Sequence, residues 1–162
     1  MPLATGAEAP DFALPDAEGR RRTRDDLAAG GPVLLAFFNT TCPTCRLAFP
    51  VYGELERRFG DVVPVVAVSQ HPVGEARPWL DQLGFAGPVL DDDSDDFAVS
   101  AAYGVRSVPT LVLVEGGRVA AASEAWDRER VNQWARELAE RAGREPAPVS
   151  TEDDGRPVFK PG

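Results

Sequence analysis

With 162 residues, 43% of them apolar, the chain is long enough for one domain that buries a sizeable core. Its net charge of −9, from 26 acidic against 17 basic residues, argues against nucleic acid or an anionic membrane as partner, because both attract basic surfaces. The opening Met1-Pro2-Leu3-Ala4-Thr5-Gly6 has neither a basic nor an apolar leader pattern and no later run is long enough to span a bilayer, so the chain reads as cytoplasmic.

Residues Gly6 to Asp16 read as an extended segment with Phe12 and Leu14 alternating. Ala17-Glu18-Gly19 then turns it, and Arg20 to Thr23 form the return strand of a small hairpin. Thr23 is placed to cap a short helix from Arg24 to Ala29, which Gly30-Gly31 ends. Val33 to Phe38 is a continuous apolar run, predicted as a buried strand. It feeds Asn39-Thr40-Thr41 and then Cys42-Pro43-Thr44-Cys45, which holds the only two cysteines. Leu47, Val51, Leu55 and Phe59 recur every four residues and predict a helix from about Pro43 to Phe59, with Pro50 expected to kink it. Val62 to Ser69 is a second β-branched run, with Pro64 tolerable only near its start.

His71-Pro72 begins a loop, Glu75 to Leu83 is predicted helical, and Pro88 to Leu90 is a short strand. The acidic run Asp91 to Asp96 lacks the glycine and terminal glutamate of an EF-hand loop. It reads as the solvated, dipole-favoured N-terminus of a helix over Phe97 to Tyr103. Thr110 to Val114, the Gly116-Gly117 turn and Arg118 to Ala122 form a β-hairpin. Arg128 to Ala142 closes the chain as an amphipathic helix with Val131, Trp134, Ala135 and Leu138 on one face. From residue 144 to 162 proline, glycine and charge dominate, so this tail is expected to be disordered or loosely docked and dispensable for folding. Val158 and Phe159 are its two residues suited to docking in a groove.

C-x-x-C on the first turn of a helix exposes Cys42 and sets Cys45 one turn deeper. Residues three apart on a helix are neighbours, at a separation compatible with a disulfide. The helix N-terminus presents free N–H groups and partial positive charge, which favour a thiolate and make Cys42 the candidate nucleophile. A free thiol with pKa ~8.5 is ~3% ionised at neutral pH, and one tuned to about 7 is half ionised. That difference is worth roughly 2 kcal/mol. The alternatives are an inert disulfide, two core thiols, or half of a zinc site. Zinc normally takes three or four protein ligands, and His71 is the only histidine, so no metal ligand set is assigned.

A buried strand feeding C-x-x-C, with Val108-Pro109-Thr110 opening a hairpin far downstream, resembles the thioredoxin-like fold. This implies an α/β architecture, a central mixed β-sheet flanked by helices, with the N-terminal hairpin as an extension. Gly6-x-x-Ala9-Pro10-Asp11-Phe12-x-Leu14-x-Asp16-x-x-Gly19 and Phe49-Pro50 resemble the redoxin branch. That branch holds TlpA-like thiol-disulfide oxidoreductases and peroxiredoxins of the alkyl hydroperoxide reductase and thiol-specific antioxidant type. The resemblance covers residues 5 to 142 and assigns 1–143 to one domain. It implies a redox-active disulfide between Cys42 and Cys45 with no other cofactor, and a cis Val108-Pro109 bond beside it. Pro43, Thr44, Val108, Pro109 and Thr110 are the implied substrate-binding residues, Val108 pairing through its backbone with an incoming strand. Thr41 replaces the usual Trp before the first cysteine, and Ala36 and Ala48 stand where relatives carry an acid. The usual proton acceptors for Cys45 are thus missing, and water or an acid from elsewhere in the fold has to serve.

The leading expectation is a thiol-disulfide oxidoreductase, acting as a reductant in a cytoplasmic setting, on a protein or small-molecule disulfide and recharged by a reductase or thiol pool. A peroxidase is the alternative; the peroxiredoxin pattern asks for threonine three positions before the cysteine, where Asn39 stands. A third reading is a metal- or protein-binding module without turnover, which needs His71 close to the cysteines.

Overall fold

The computed structural model describes residues 1–162, the side chain of Asp95 excepted. Ala13–Pro15 (β1) and Arg21–Thr23 (β2) form the N-terminal hairpin, and Thr23 caps the helix Arg24–Leu27 (α1). The cap is reciprocal: the Thr23 hydroxyl accepts from the Asp26 amide at 3.0 Å while the Asp26 carboxylate accepts from the Thr23 amide. Beyond it lies Val33–Phe38 (β3), whose six residues are all buried. A strand apolar on both faces must be covered on both, which places β3 in the middle of the sheet.

The helix Pro43–Phe59 (α2) follows, then Val65–Ser69 (β4), Val73–Gln82 (α3) and Val89–Asp91 (β5). Ala98–Ala102 (α4), Thr110–Glu115 (β6), Arg118–Glu124 (β7), Trp126–Asp127 (β8), Arg128–Ala142 (α5) and Phe159–Lys160 (β9) complete the chain. The central sheet runs β5-β4-β3-β6-β7, with β3, β4 and β5 parallel and β6 and β7 antiparallel to their neighbours. It is the central mixed sheet that the resemblance implies. The N-terminal extension crosses it, bridging Glu8 to Arg118 at one edge and Asp16 to Leu90 at the other. No helix is long and apolar enough to cross a membrane among the described residues.

Two expectations change. The acidic run is not uniformly solvated: Asp91 and Asp92 are buried, and Asp92 is 0% exposed. The Asp92 carboxylate accepts from the amides of Val99 (3.1 Å) and Ser100 (2.8 Å) and from the Ser100 hydroxyl (2.7 Å). It therefore satisfies the orphan N–H groups of α4 from inside the fold, where a bonded carboxylate is tolerated and an unbonded one is not.

The second change concerns residues 144–162, which are fastened along the body of the protein. Asn132 on α5 donates to the Ser150 carbonyl (2.8 Å) and accepts from the amides of Val149 and Ser150. The buried Trp126 indole donates to the Pro157 carbonyl at 2.7 Å, and the Arg128 amide to that of Val158 at 2.9 Å. Arg156 reaches the Leu47 carbonyl on α2 at 2.8 Å, and β9 pairs with β8. Val158 and Phe159 do not dock; they stand 66% and 56% exposed. Hydrogen bonds to main-chain groups hold the segment, so a count of its apolar residues underestimated its order.

Candidate active site

The Asn39-Thr40-Thr41 turn carries the chain from β3 to Cys42, which is the N-cap of α2, with Pro43 at the first helical position. Proline is suited to that position because its missing N–H would have no partner there. The Cys42 sulfur accepts from the Cys45 amide at 3.0 Å, the bond a capping oxygen usually takes. Cys42 is half-buried and Cys45 fully buried, as the one-turn offset predicts.

From the other side the loop before β6 closes on the sulfur. The Val108-Pro109 bond is cis, as expected from the resemblance, and the Cys42 thiol lies 3.4 Å from the Val108 carbonyl oxygen. Pro109 is buried behind it. Pro43 is exposed at the rim, while Thr44 is only 2% exposed. Thr110 turns inward: its hydroxyl donates to the Ser107 carbonyl at 2.8 Å and closes the loop, so it supports Val108 from behind. A cleft of about 420 Å³ opens beside Cys42, walled by Asn39, Gln70, Arg106, Ser107, Val108 and Gly162 among others.

The electrostatics divide the pair. A hydrogen bond from the Cys45 thiol, the amides of Cys45 and Thr44, and the positive charge of Lys160 together outweigh partial burial and bring Cys42 from 9.0 down to about 6. At neutral pH such a thiol is roughly 90% thiolate. Cys45 moves the opposite way, because burial and the adjacent Cys42 sulfur both oppose its ionisation. Only one sulfur of the two is therefore a nucleophile at rest.

Tyr52 lies two turns beyond Cys45 on α2. Burial first, and then the electrostatic influence of the neighbouring Cys45 and Cys42 sulfurs, push its phenol well up. It shares the field of the pair and stays protonated. The i,i+7 spacing from Cys45 was the available signal for it. Lys160, the chain's only lysine, and Gly162 had no such signal. His71 does come near the motif, and its Nδ1 accepts from the Thr40 amide at 3.2 Å. Among the described residues no three His, Cys, Asp or Glu side chains converge as ligands.

Residues 5–122 match the sequence model of the AhpC/TSA family. Thioredoxin-like protein YneN of Bacillus subtilis is 32% identical over 117 residues, covering 70% of this chain and 66% of that protein. Thiol-disulfide oxidoreductase ResA of Geobacillus thermodenitrificans is 34% identical over 118 residues, covering 70% and 64%. The match thus spans less than two thirds of these relatives. A solved structure from Chlorobium tepidum, provisionally named thiol:disulfide interchange protein DsbE, superposes with a TM-score of 0.75 at 27% identity, covering 86% of this chain and 98% of that one.

Proposed function

The chain belongs to the AhpC/TSA family, and on that premise we propose that it is a thiol-disulfide oxidoreductase working through Cys42 and Cys45. The observation that carries the reading is the asymmetry of the pair: an accessible sulfur held near pKa 6 at a helix N-terminus, beside a buried one held as a thiol. Names borne by relatives, an oxidoreductase and an interchange protein, point the same way.

The Cys42 thiolate attacks one sulfur of a substrate disulfide. A Cys42-substrate disulfide forms, and the other substrate sulfur leaves as a thiolate that takes a proton from water. Forming that bond removes the negative charge from Cys42, and with it one of the influences opposing ionisation of Cys45. Cys45 then gives its proton to water or to the leaving sulfur and attacks Cys42. The second substrate sulfur leaves, and two electrons have passed from the pair to the substrate. A dithiol reductase or a thiol pool restores both thiols, and the pair itself carries the electrons without a bound cofactor.

In direction the protein acts as a reductant, in a compartment with a reducing thiol pool such as the cytoplasm. What supports this is the position of Cys42, since C-x-x-C nucleophiles run from about 3.5 in strong oxidants to about 7 in strong reductants. A value of about 6 lies toward the reducing end.

Trapping tests the assignment. Cys45→Ser should accumulate a mixed disulfide with insulin or a model peptide disulfide, resolved on non-reducing gels, and Cys42→Ser should accumulate none and lose activity. Trapping by the Cys42 variant alone would reverse the roles, and hydrogen peroxide consumption exceeding disulfide reduction would favour a peroxidase.

A further inference from the structure

The segment that follows β8 in space returns to the thiol site from far along the chain. Its stem is well held, through the β8-β9 pairing and the Trp126 bond to the Pro157 carbonyl. Beyond Lys160 the tip crosses the mouth of the site. The buried Thr44 hydroxyl donates to the Pro161 carbonyl at 2.7 Å. Gly162 then lies on the peptide of Val108, so closely that a Cβ there would collide with the Val108 carbonyl oxygen and stand 2.8 Å from its carbon. The backbone edge of Val108 is the one a substrate strand would pair with, and Pro161 brings no N–H of its own to that edge. The tip thus covers the edge without replacing a strand there.

Two further observations separate this segment from the shared machinery. It lies outside residues 5–122, which carry the family match. It also leaves the Cys42 sulfur half exposed through the adjoining cleft. Access to the sulfur and access to the Val108 edge are therefore different things in this molecule.

We propose that Lys160–Gly162 is a specificity element: it screens the Val108 edge, so that small disulfides reach Cys42 through the open cleft whereas an extended protein segment must first lift the tip away. This rests on the oxidoreductase reading above and adds to it the class of substrate each state accepts. What the displacement gives up at the site is local: the Thr44 hydrogen bond to Pro161 and the contact of Gly162 with Val108.

The test compares the full chain with Gly162→Leu, whose side chain cannot fit against Val108, and with a chain lacking Pro161 and Gly162, which keeps Lys160 and the β8-β9 pairing. Insulin reduction should rise about five- to tenfold in both variants, the factor that one hydrogen bond and its local contacts carry. Reduction of the small disulfide dithionitrobenzoate should gain several-fold less than insulin reduction in both variants, because Gly162 also walls the cleft that admits it. Unchanged insulin rates, slower ones, or equal acceleration of both substrates would overturn the proposal. Should Gly162→Leu unfold, the shortened chain decides. Should no form reduce either substrate, the oxidoreductase reading fails and alkylation still reports on the tip. The ratio of polymer-tethered maleimide to iodoacetamide rates at Cys42 rises in the shortened chain if the tip screens the site, and an unchanged ratio refutes it.

Discussion

Removing the Cys45 thiol should weaken Cys42 as a nucleophile even before resolution is considered. The hydrogen bond from the Cys45 side chain is the largest influence lowering the Cys42 pKa, ahead of the helix amides and Lys160. Hydrogen bonds to charged groups are worth about 1.5–3 kcal/mol, and a weak S–H donor to a half-exposed sulfur belongs at the low end. That is about one pH unit. Cys45→Ala should therefore move the Cys42 midpoint from about 6 toward 7. At pH 6 the thiolate fraction falls from half to roughly a tenth, so iodoacetamide reacts about fivefold more slowly, with rates converging above pH 9. Cys45→Ser keeps a donor and should stay within about half a unit of the parent. Thiolate absorbance and alkylation rate against pH read both variants. An unchanged midpoint in the alanine variant, or equal shifts in both, would show that the Cys45 donor is not what ionises Cys42.

Other outcomes follow from the same contacts. Cys42 is depressed in the fold, so its contribution to stability of the reduced protein is present above the unfolded-state pKa of ~8.5 and lost as pH falls through about 6. Cys45 is raised, so its contribution is present below ~8.5 and lost above it. Together they place the pair's maximum near pH ~8.5. The Cys42 share is about 2 kcal/mol after halving for solvent screening, and urea midpoints that are flat from pH 6 to 8.5 would refute it. Truncation after Gly143 should cost about 2–3 kcal/mol by urea unfolding, because it strips partners from Asn132, Trp126 and Arg128; an unchanged midpoint would restore the loosely docked tail. Gly53→Ala should destabilise by about 1–3 kcal/mol despite alanine's better helix propensity. The added Cβ would strike the Gly84 carbonyl oxygen and sit 3.2 Å from the Phe85 Cα, so a stabilised variant would show that α2 can move away.

What the sequence by itself determined is what local pattern controls. The apolar run of β3, the four-residue recurrence in α2 and the one-sided apolar face of α5 placed those elements where they lie, Val33–Phe38, Pro43–Phe59 and Arg128–Ala142. Cys42 as the more accessible sulfur and Cys45 as its buried neighbour follow from the same periodicity, since three residues on a helix are about one turn wherever the helix lies, whereas the position of Cys42 as the cap came from the structure. Thr23 announced a capped helix start, although α1 stops at Leu27, short of the Ala29 expected, and the answering Asp26 carboxylate was not read from the sequence. The cis bond before Pro109 came through the resemblance and not through any local pattern.

Tertiary structure alone decided the rest. Asp92 reads like its acidic neighbours, and only the return of the chain that brings the start of α4 onto its carboxylate turns it from a solvated charge into an internal cap. Thr44 was expected to face substrate, and its hydroxyl is taken by the carbonyl of Pro161, more than a hundred residues away in sequence. The tail is held through carbonyl and amide groups of Ser150, Pro157 and Val158, which every residue possesses and which leave no mark in composition or period. Side-chain periodicity reports which face of an element is apolar. It carries no information about which distant main-chain group a buried indole, amide or hydroxyl will find, and those pairings are what bring Lys160 and Gly162 to the thiol site.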